Sequence, residues 1–127
     1  VWYSLKNPAT FVAAMAEAMT FGMTQGIAPE DFVKVIPQCA GTSWMLENRA
    51  PHIVAGDYSP HSAVDIWPKD LGIVLDIARG AKFGAPLTAA ALQQFVAASG
   101  SGFGREDDAA VAKVYARNAG LTLPGED

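Results

Sequence analysis

The sequence predicts an all-α fold, a single helical domain of about six helices. Three observations carry this reading. Apolar residues recur three and four positions apart through most of the chain, and no stretch sustains the period-two alternation of a strand. Prolines beside polar or acidic residues open the apolar segments and glycines close them, the asymmetry expected of helix ends. With 127 residues, half of them hydrophobic and 17% charged, the chain is long enough for one buried core and too short for two.

Asn7-Pro8 reads as a cap followed by the first residue of a helix, with Phe11, Met15, Ala18, Met19 and Gly22 on one face and Gly26 at the end. Its many alanines make that helix slim enough for another to approach closely. Pro29-Glu30-Asp31 opens a second helix with acids in the first turn, carrying Phe32, Val33, Val35 and Ile36 inward until Pro37 breaks it. Thr42 or Ser43 caps a short third helix through Trp44, Met45 and Leu46. Residues 50–66 hold Pro51, Gly56, Asp57, Ser59 and Pro60 and read as a long, mostly irregular connection, the kind of segment that often carries function. From Pro68, Leu71, Val74, Leu75 and Ala78 form an amphipathic helix closing near Gly84. Pro86-Leu87-Thr88 begins the next, with Leu92, Phe95 and Val96 facing in and Gly100 at its end. A last helix runs from about Glu106 through Ala110, Val111, Val114 and Tyr115 to Gly120, and Leu121 to Asp127 reads as a frayed tail.

Net charge is −4 and no segment clusters Lys and Arg, which argues against nucleic acid or an anionic membrane as partner. Cys39 stands alone, so no internal disulfide forms, as suits a reducing compartment. No apolar run approaches membrane-spanning length, and the first residues lack a secretory pattern. The expectation is a soluble, cytoplasmic protein.

One helix start is unusual. In Trp67-Pro68-Lys69-Asp70-Leu71-Gly72, Pro68 suits the first helical position, which puts Lys69 in the first turn beside the positive end of the macrodipole. A cation there either pairs in solvent with Asp65 or Asp70, which residue physics alone favours, or marks a place where an anionic or polar ligand arrives. Trp67 either staples the loop to the next helix or walls a ligand site. Gly100-Ser101-Gly102-Phe103-Gly104 follows a helix, not a strand, and leads into Glu106-Asp107-Asp108. It therefore reads as a C-cap and loop rather than a phosphate cradle. Asp107 and Asp108 point different ways and suit capping better than paired acid–base work. His52, His61 and Cys39 have no metal-ligand spacing, so no metal site is expected. Ser43 has no visible base partner. Met15, Met19 and Met23 recur at helical spacing and fit packing.

Ala16-Glu17-Ala18-Met19, Gly26-Ile27-Ala28-Pro29, Trp44, Lys69-Asp70-Leu71, Gly84-Ala85-Pro86-Leu87 and Asp107-Asp108-Ala109-Ala110-Val111 occur in the order and spacing of one family. From about residue 9 to 120 the chain resembles the C-terminal helical domain of the β-hydroxyacid dehydrogenases, the group that includes 3-hydroxyisobutyrate dehydrogenase and tartronate semialdehyde reductase. Its fold is similar to the 6-phosphogluconate dehydrogenase C-terminal domain. Ser62-Ala63-Val64-Asp65-Ile66 and Gly104-Arg105-Glu106-Asp107-Asp108 are most similar to the members that oxidise L-threonate.

The resemblance implies a division of labour. An N-terminal Rossmann domain binds NAD or NADP, while the helical domain closes the cleft and makes most of the contact in a homodimer. The parent activity would be NAD-dependent oxidation of a small hydroxy acid. Lys69 would reach the cofactor and Asp70 would position substrate or support Lys69. Ser62 stands where several relatives have an aromatic, and Trp67 with the loop around His61 would line the cleft. Counting back from Glu17 puts the family's catalytic lysine at Val1. The expectation is therefore an atypical segment at 1–8, no catalytic residue in this chain and no turnover by it alone. The alternative is a non-catalytic helical dimerisation module.

Overall fold

The computed structural model describes residues 8–126. Six α-helices follow one another among them: α1 Pro8–Thr24, α2 Pro29–Val35, α3 Trp44–Ala55, α4 Ile66–Gly80, α5 Pro86–Ala98 and α6 Val111–Asn118. A 3-10 turn at Ile36–Gln38 extends α2, a wide π turn at Ser99–Phe103 extends α5, and a 3-10 turn at Asp108–Ala110 leads into α6. The all-α expectation holds, the only strand-like feature among the described residues being an isolated antiparallel bridge between Ala63 and Asp107. Asn7 and the other residues of the atypical start before Pro8 lie outside the described part.

Helix α1 is central and packs against α3, α5 and α6. Its buried residues are Ala9, Val12, Ala13, Met15, Ala16, Met19, Thr20 and Gly22. The face expected from periodicity is therefore rotated: Met15, Met19 and Gly22 are buried, whereas Ala18 is exposed and Phe11 is 52% exposed. A helix this rich in Ala and Met, packed on several sides, has no clean hydrophobic phase to read. Thr20 satisfies its hydroxyl within the helix by donating to Ala16 O at 2.7 Å.

Several boundaries differ from the sequence reading. Ser43 caps α3 by accepting from Leu46 N at 3.0 Å, but the helix then runs through Pro51 to Ala55. Pro51 is on the exposed side, while Met45, Leu46, Arg49, Ala50 and Ile53 are buried, and that continuous face outweighs the one missing N–H. The irregular connection is thus confined to 56–65. Helix α4 starts at Ile66, two residues before Pro68, because the first turn of any helix has N–H groups without intrahelical partners. It ends at Gly80 rather than near Gly84, where Lys82 adopts φ 55° and Phe83 N bonds back to Ala78 O at 2.8 Å. Val35 and Val96, expected inside, are 56% and 47% exposed.

Residues 121–126 are packed rather than frayed. Leu123 is 1% exposed within the core, and its N–H donates to Glu126 Oε2 at 3.1 Å. Gly125 lies against Gly56, the left-handed cap of α3 (φ 64°), so closely that a Cβ on Gly56 would stand 2.9 Å from Gly125 Cα. No helix among the described residues is long and apolar enough to cross a membrane.

Leu123→Ala should lower stability by about 2–5 kcal/mol, the cost of an emptied core site, measured by urea unfolding. A change within about 0.5 kcal/mol would show a tail that contributes nothing.

Candidate functional site

The segment 56–65 has no regular structure of its own, so its backbone groups need partners elsewhere. They find them on the stretch that follows the π turn. Val64 N donates to Glu106 O at 2.9 Å and Asp65 N to Gly104 O at 3.0 Å; in return Asp107 N donates to Tyr58 O at 2.8 Å and Asp108 N to Ser62 O at 2.7 Å. Lys113 braces one side, its Nζ 2.6 Å from Glu106 Oε2 and 4.0 Å from the centre of the Tyr58 ring.

The side chains of Asp107 and Asp108 complete the arrangement. Both residues are 0% exposed. Asp107 Oδ1 accepts from His61 N at 2.8 Å and from Ser62 N at 3.4 Å, while Oδ2 accepts from Ala109 N at 3.2 Å. His52 Nδ1 stands 3.3 Å from Oδ2. Asp108 accepts from Arg49 Nε at 2.7 Å and from the indole Nε1 of Trp67 at 3.1 Å. The Arg49 guanidinium also approaches Asp107 Oδ2 at 3.8 Å. Two carboxylates therefore share one permanent cation in a dry place. Burial pushes the Asp108 carboxyl up to about 6, with Arg49 opposing and Asp107 adding to the rise.

This cluster carries the start of α4. Trp67 is 9% exposed, its ring 6.3 Å from that of Phe95 and its one polar atom bonded to Asp108. Lys69 stands in the open, its side chain 71% exposed and its Nζ 3.2 Å from Asp70 Oδ1. Asp70 is 29% exposed in its side chain. Asp65 is engaged elsewhere, accepting from Ser99 Oγ at 2.6 Å. Gly104 presses on that carboxylate so closely that a Cβ there would collide with it. Ser62 is half-buried, with its N–H and C=O both used in the cluster.

Sequence reasoning places Lys69, Asp70, Ser62 and Trp67 in one region, and the fold puts Ser62 before α4, Trp67 and Lys69 in its first turn and Asp70 just after it. Lys69 faces solvent and Asp70 is partly buried, whereas Trp67 is turned into the core and offers a ligand little surface. The Gly100–Gly104 run is the continuation of α5, with Gly102 at φ 93°. The rings of His52 and His61 meet edge-on at 4.6 Å. Among the described residues no three His, Cys, Asp or Glu side chains converge as metal ligands do. Capping describes Asp107 correctly, but Arg49 and His52 were not anticipated as its neighbours. The available signal was Asp107-Asp108 running directly into Ala109-Ala110-Val111, an apolar sequence that draws the acids inside.

The sequence model of the family described as NAD-binding of NADP-dependent 3-hydroxyisobutyrate dehydrogenase matches residues 8–115. The chain belongs to this family. As a member of it, the chain is 55% identical over 115 residues to an L-threonate dehydrogenase of Cupriavidus necator, covering 91% of the chain and 38% of that relative. It is 50% identical over 114 residues to an L-threonate dehydrogenase of Escherichia coli K12, covering 90% and 37%. Among solved structures it superposes with a TM-score of 0.84 on a 3-hydroxyisobutyrate dehydrogenase from Salmonella typhimurium, at 46% identity over 88% of the chain and 39% of that protein. This family member spans under two fifths of the length of these relatives.

Two outcomes test the electrostatics. The folded state holds the Asp108 proton more tightly than the unfolded chain, because the carboxyl rises from 3.8 to about 6. The stability that Asp108 contributes over Asn is therefore greatest below about pH 4 and declines as pH rises through about 6. Urea unfolding of wild type and Asp108→Asn across that range should show their difference narrowing towards high pH; a widening difference would mean that Arg49 outweighs burial. Lys69→Ala should change stability by less than about 0.5 kcal/mol, since its ion pair is exposed. A loss above about 1 kcal/mol would make Lys69 a structural residue.

Proposed function

We propose that residues 8–126 form the cofactor-facing and dimerising part of an NAD-dependent dehydrogenase that oxidises a small hydroxy acid such as L-threonate, with NADP as the other candidate cofactor. The observation that carries this is Lys69. Its ammonium sits in the first turn of α4, where the macrodipole disfavours a cation, yet among the described residues its one ion-pair partner is the partly buried Asp70. An exposed ion pair of this kind is worth little, so Lys69 is free to turn to the phosphate or ribose oxygens of a bound dinucleotide. That donor set fits the group. When bound, the cofactor would supply the acceptor for the hydride of the substrate's carbinol carbon.

In this reading Lys69 holds the cofactor, and Asp70 and Ser62 meet the hydroxylated substrate. Proton removal from the substrate hydroxyl is assigned to no residue between 8 and 126. Identity with two L-threonate dehydrogenases supports the substrate class. Large apolar side chains at the surface are compatible with a role among partners: Phe21, Trp44, Phe83 and Leu87 are 66%, 69%, 69% and 74% exposed.

Joining residues 8–127 to everything that precedes the matching position in the Cupriavidus necator enzyme, so that both its dinucleotide-binding half and the lysine expected at position 1 are supplied, should give NAD-dependent oxidation of L-threonate. In that chimera Lys69→Ala should raise KM for NAD about tenfold, the size of one lost charge-assisted hydrogen bond. A folded chimera that oxidises no hydroxy acid of a broad panel with either cofactor would contradict the proposal. The 127-residue chain should sediment as a dimer, and a monomer would contradict the dimerising role.

A further inference from the structure

We infer that Trp67 and Asp108 form a positioning pair for Lys69, the indole hydrogen bond setting how the first turn of α4 is rotated and so where the ammonium stands. This deepens the proposed function and rests on it. The backbone bonds to residues 104–108 end at Val64 and Asp65, and beyond them Ile66 N and Trp67 N bond only within the turn itself, to Ala63 O and Val64 O at 3.1 Å each. Asp65 gives α4 no side-chain cap, because its carboxylate is bonded to Ser99 instead. Pro68 has no N–H to donate. Of the first-turn residues Ile66, Trp67, Pro68 and Lys69, Trp67 alone is buried, and its single polar atom meets Asp108 at 3.1 Å.

Asp108 is a firm partner. It is 0% exposed and bonded to Arg49 Nε of α3 at 2.7 Å, so the anchor reaches α4 through a third element. Trp67 and Lys69, two positions apart, lie on nearly opposite sides of the helix, which is why one is in the core and the other in water. The same geometry couples them. A rotation on the order of 20° at a radius of ~6 Å moves a side-chain end by about 2 Å, enough to break a hydrogen bond to a ligand. Phe95 packs on the ring but places no directional demand on it; the N–H bond does.

Trp67→Phe keeps a ring in the core and removes the donor. In the chimera it should raise KM for NAD about three- to tenfold with kcat and KM for L-threonate nearly unchanged, and it should add nothing in a Lys69→Ala background. A role in folding alone would lower the active fraction and leave KM where it is. Unchanged KM for Trp67→Phe, where Lys69→Ala raises it, would overturn the inference and leave the proposed function standing. An equal rise in both backgrounds would overturn it as well. Lys69→Ala without effect on KM for NAD would overturn the cofactor role of Lys69 and the positioning role with it. Hydrogen exchange on the 127-residue chain gives a readout independent of turnover: amides of residues 66–71 should exchange faster in Trp67→Phe while those of α1 do not. Unaltered exchange there would overturn the inference whatever the chimera does.

Discussion

Two adjacent carboxylates with no exposure to water, Asp107 and Asp108, sit where α3, the segment 56–65, the start of α4 and the start of α6 meet. Moving a carboxylate out of water costs several kcal/mol unless charge and hydrogen bonds replace its hydration. Here the replacement is divided. Asp107 takes backbone N–H groups from His61, Ser62 and Ala109, and Asp108 takes the side chains of Arg49 and Trp67. Each acid thereby ties a different part of the chain to the same point. Four neighbouring elements cannot shift independently without exposing or orphaning a buried charge.

The consequence for function is order without a sheet. Residues 56–65 contain too many turn formers to be helical, and in a helical protein such a stretch would ordinarily be a mobile loop. The paired backbone bonds to residues 104–108 turn it into a fixed ledge that carries Ser62 and leads into the α4 turn that carries Lys69. Gly104 permits the approach, since any side chain there would meet the Asp65 carboxylate. A rigid element that presents a few polar groups is what the proposed cofactor-facing role requires.

Most of the fold was legible because its helix ends are marked chemically. Pro29, Ser43, Pro86 and Asp107 announce starts, and Gly26 and Gly120 announce ends, each for a backbone reason that acts locally. What failed was non-local. Pro51 looked like a breaker because nothing in its neighbours reveals that Ile53 is fully buried beyond it. The phase of α1 was misread because burial on several sides erases the stripe. At the site, Lys69 stands out through a conflict with the helix dipole, and Asp70 only through the family resemblance. Arg49 did not, since an arginine in mid-helix reads as surface until the fold delivers Asp108, 59 residues away, to meet it. Trp67 gave half its role: the ring suggested packing, and only the structure supplies the acceptor for its N–H.

A double-mutant cycle over Arg49→Met and Asp108→Asn, followed by urea unfolding at pH about 7.5, tests most directly whether the buried pair holds this region together. Arg49→Met alone should destabilise the chain by about 3–5 kcal/mol, because the Asp108 charge is left buried and uncompensated, whereas Asp108→Asn, which removes the carboxyl that burial penalises, should cost less. The double variant should lose clearly less than the sum, with a coupling of at least about 1 kcal/mol. Strict additivity would contradict the account, for it would mean that the two groups lie close together without depending on one another.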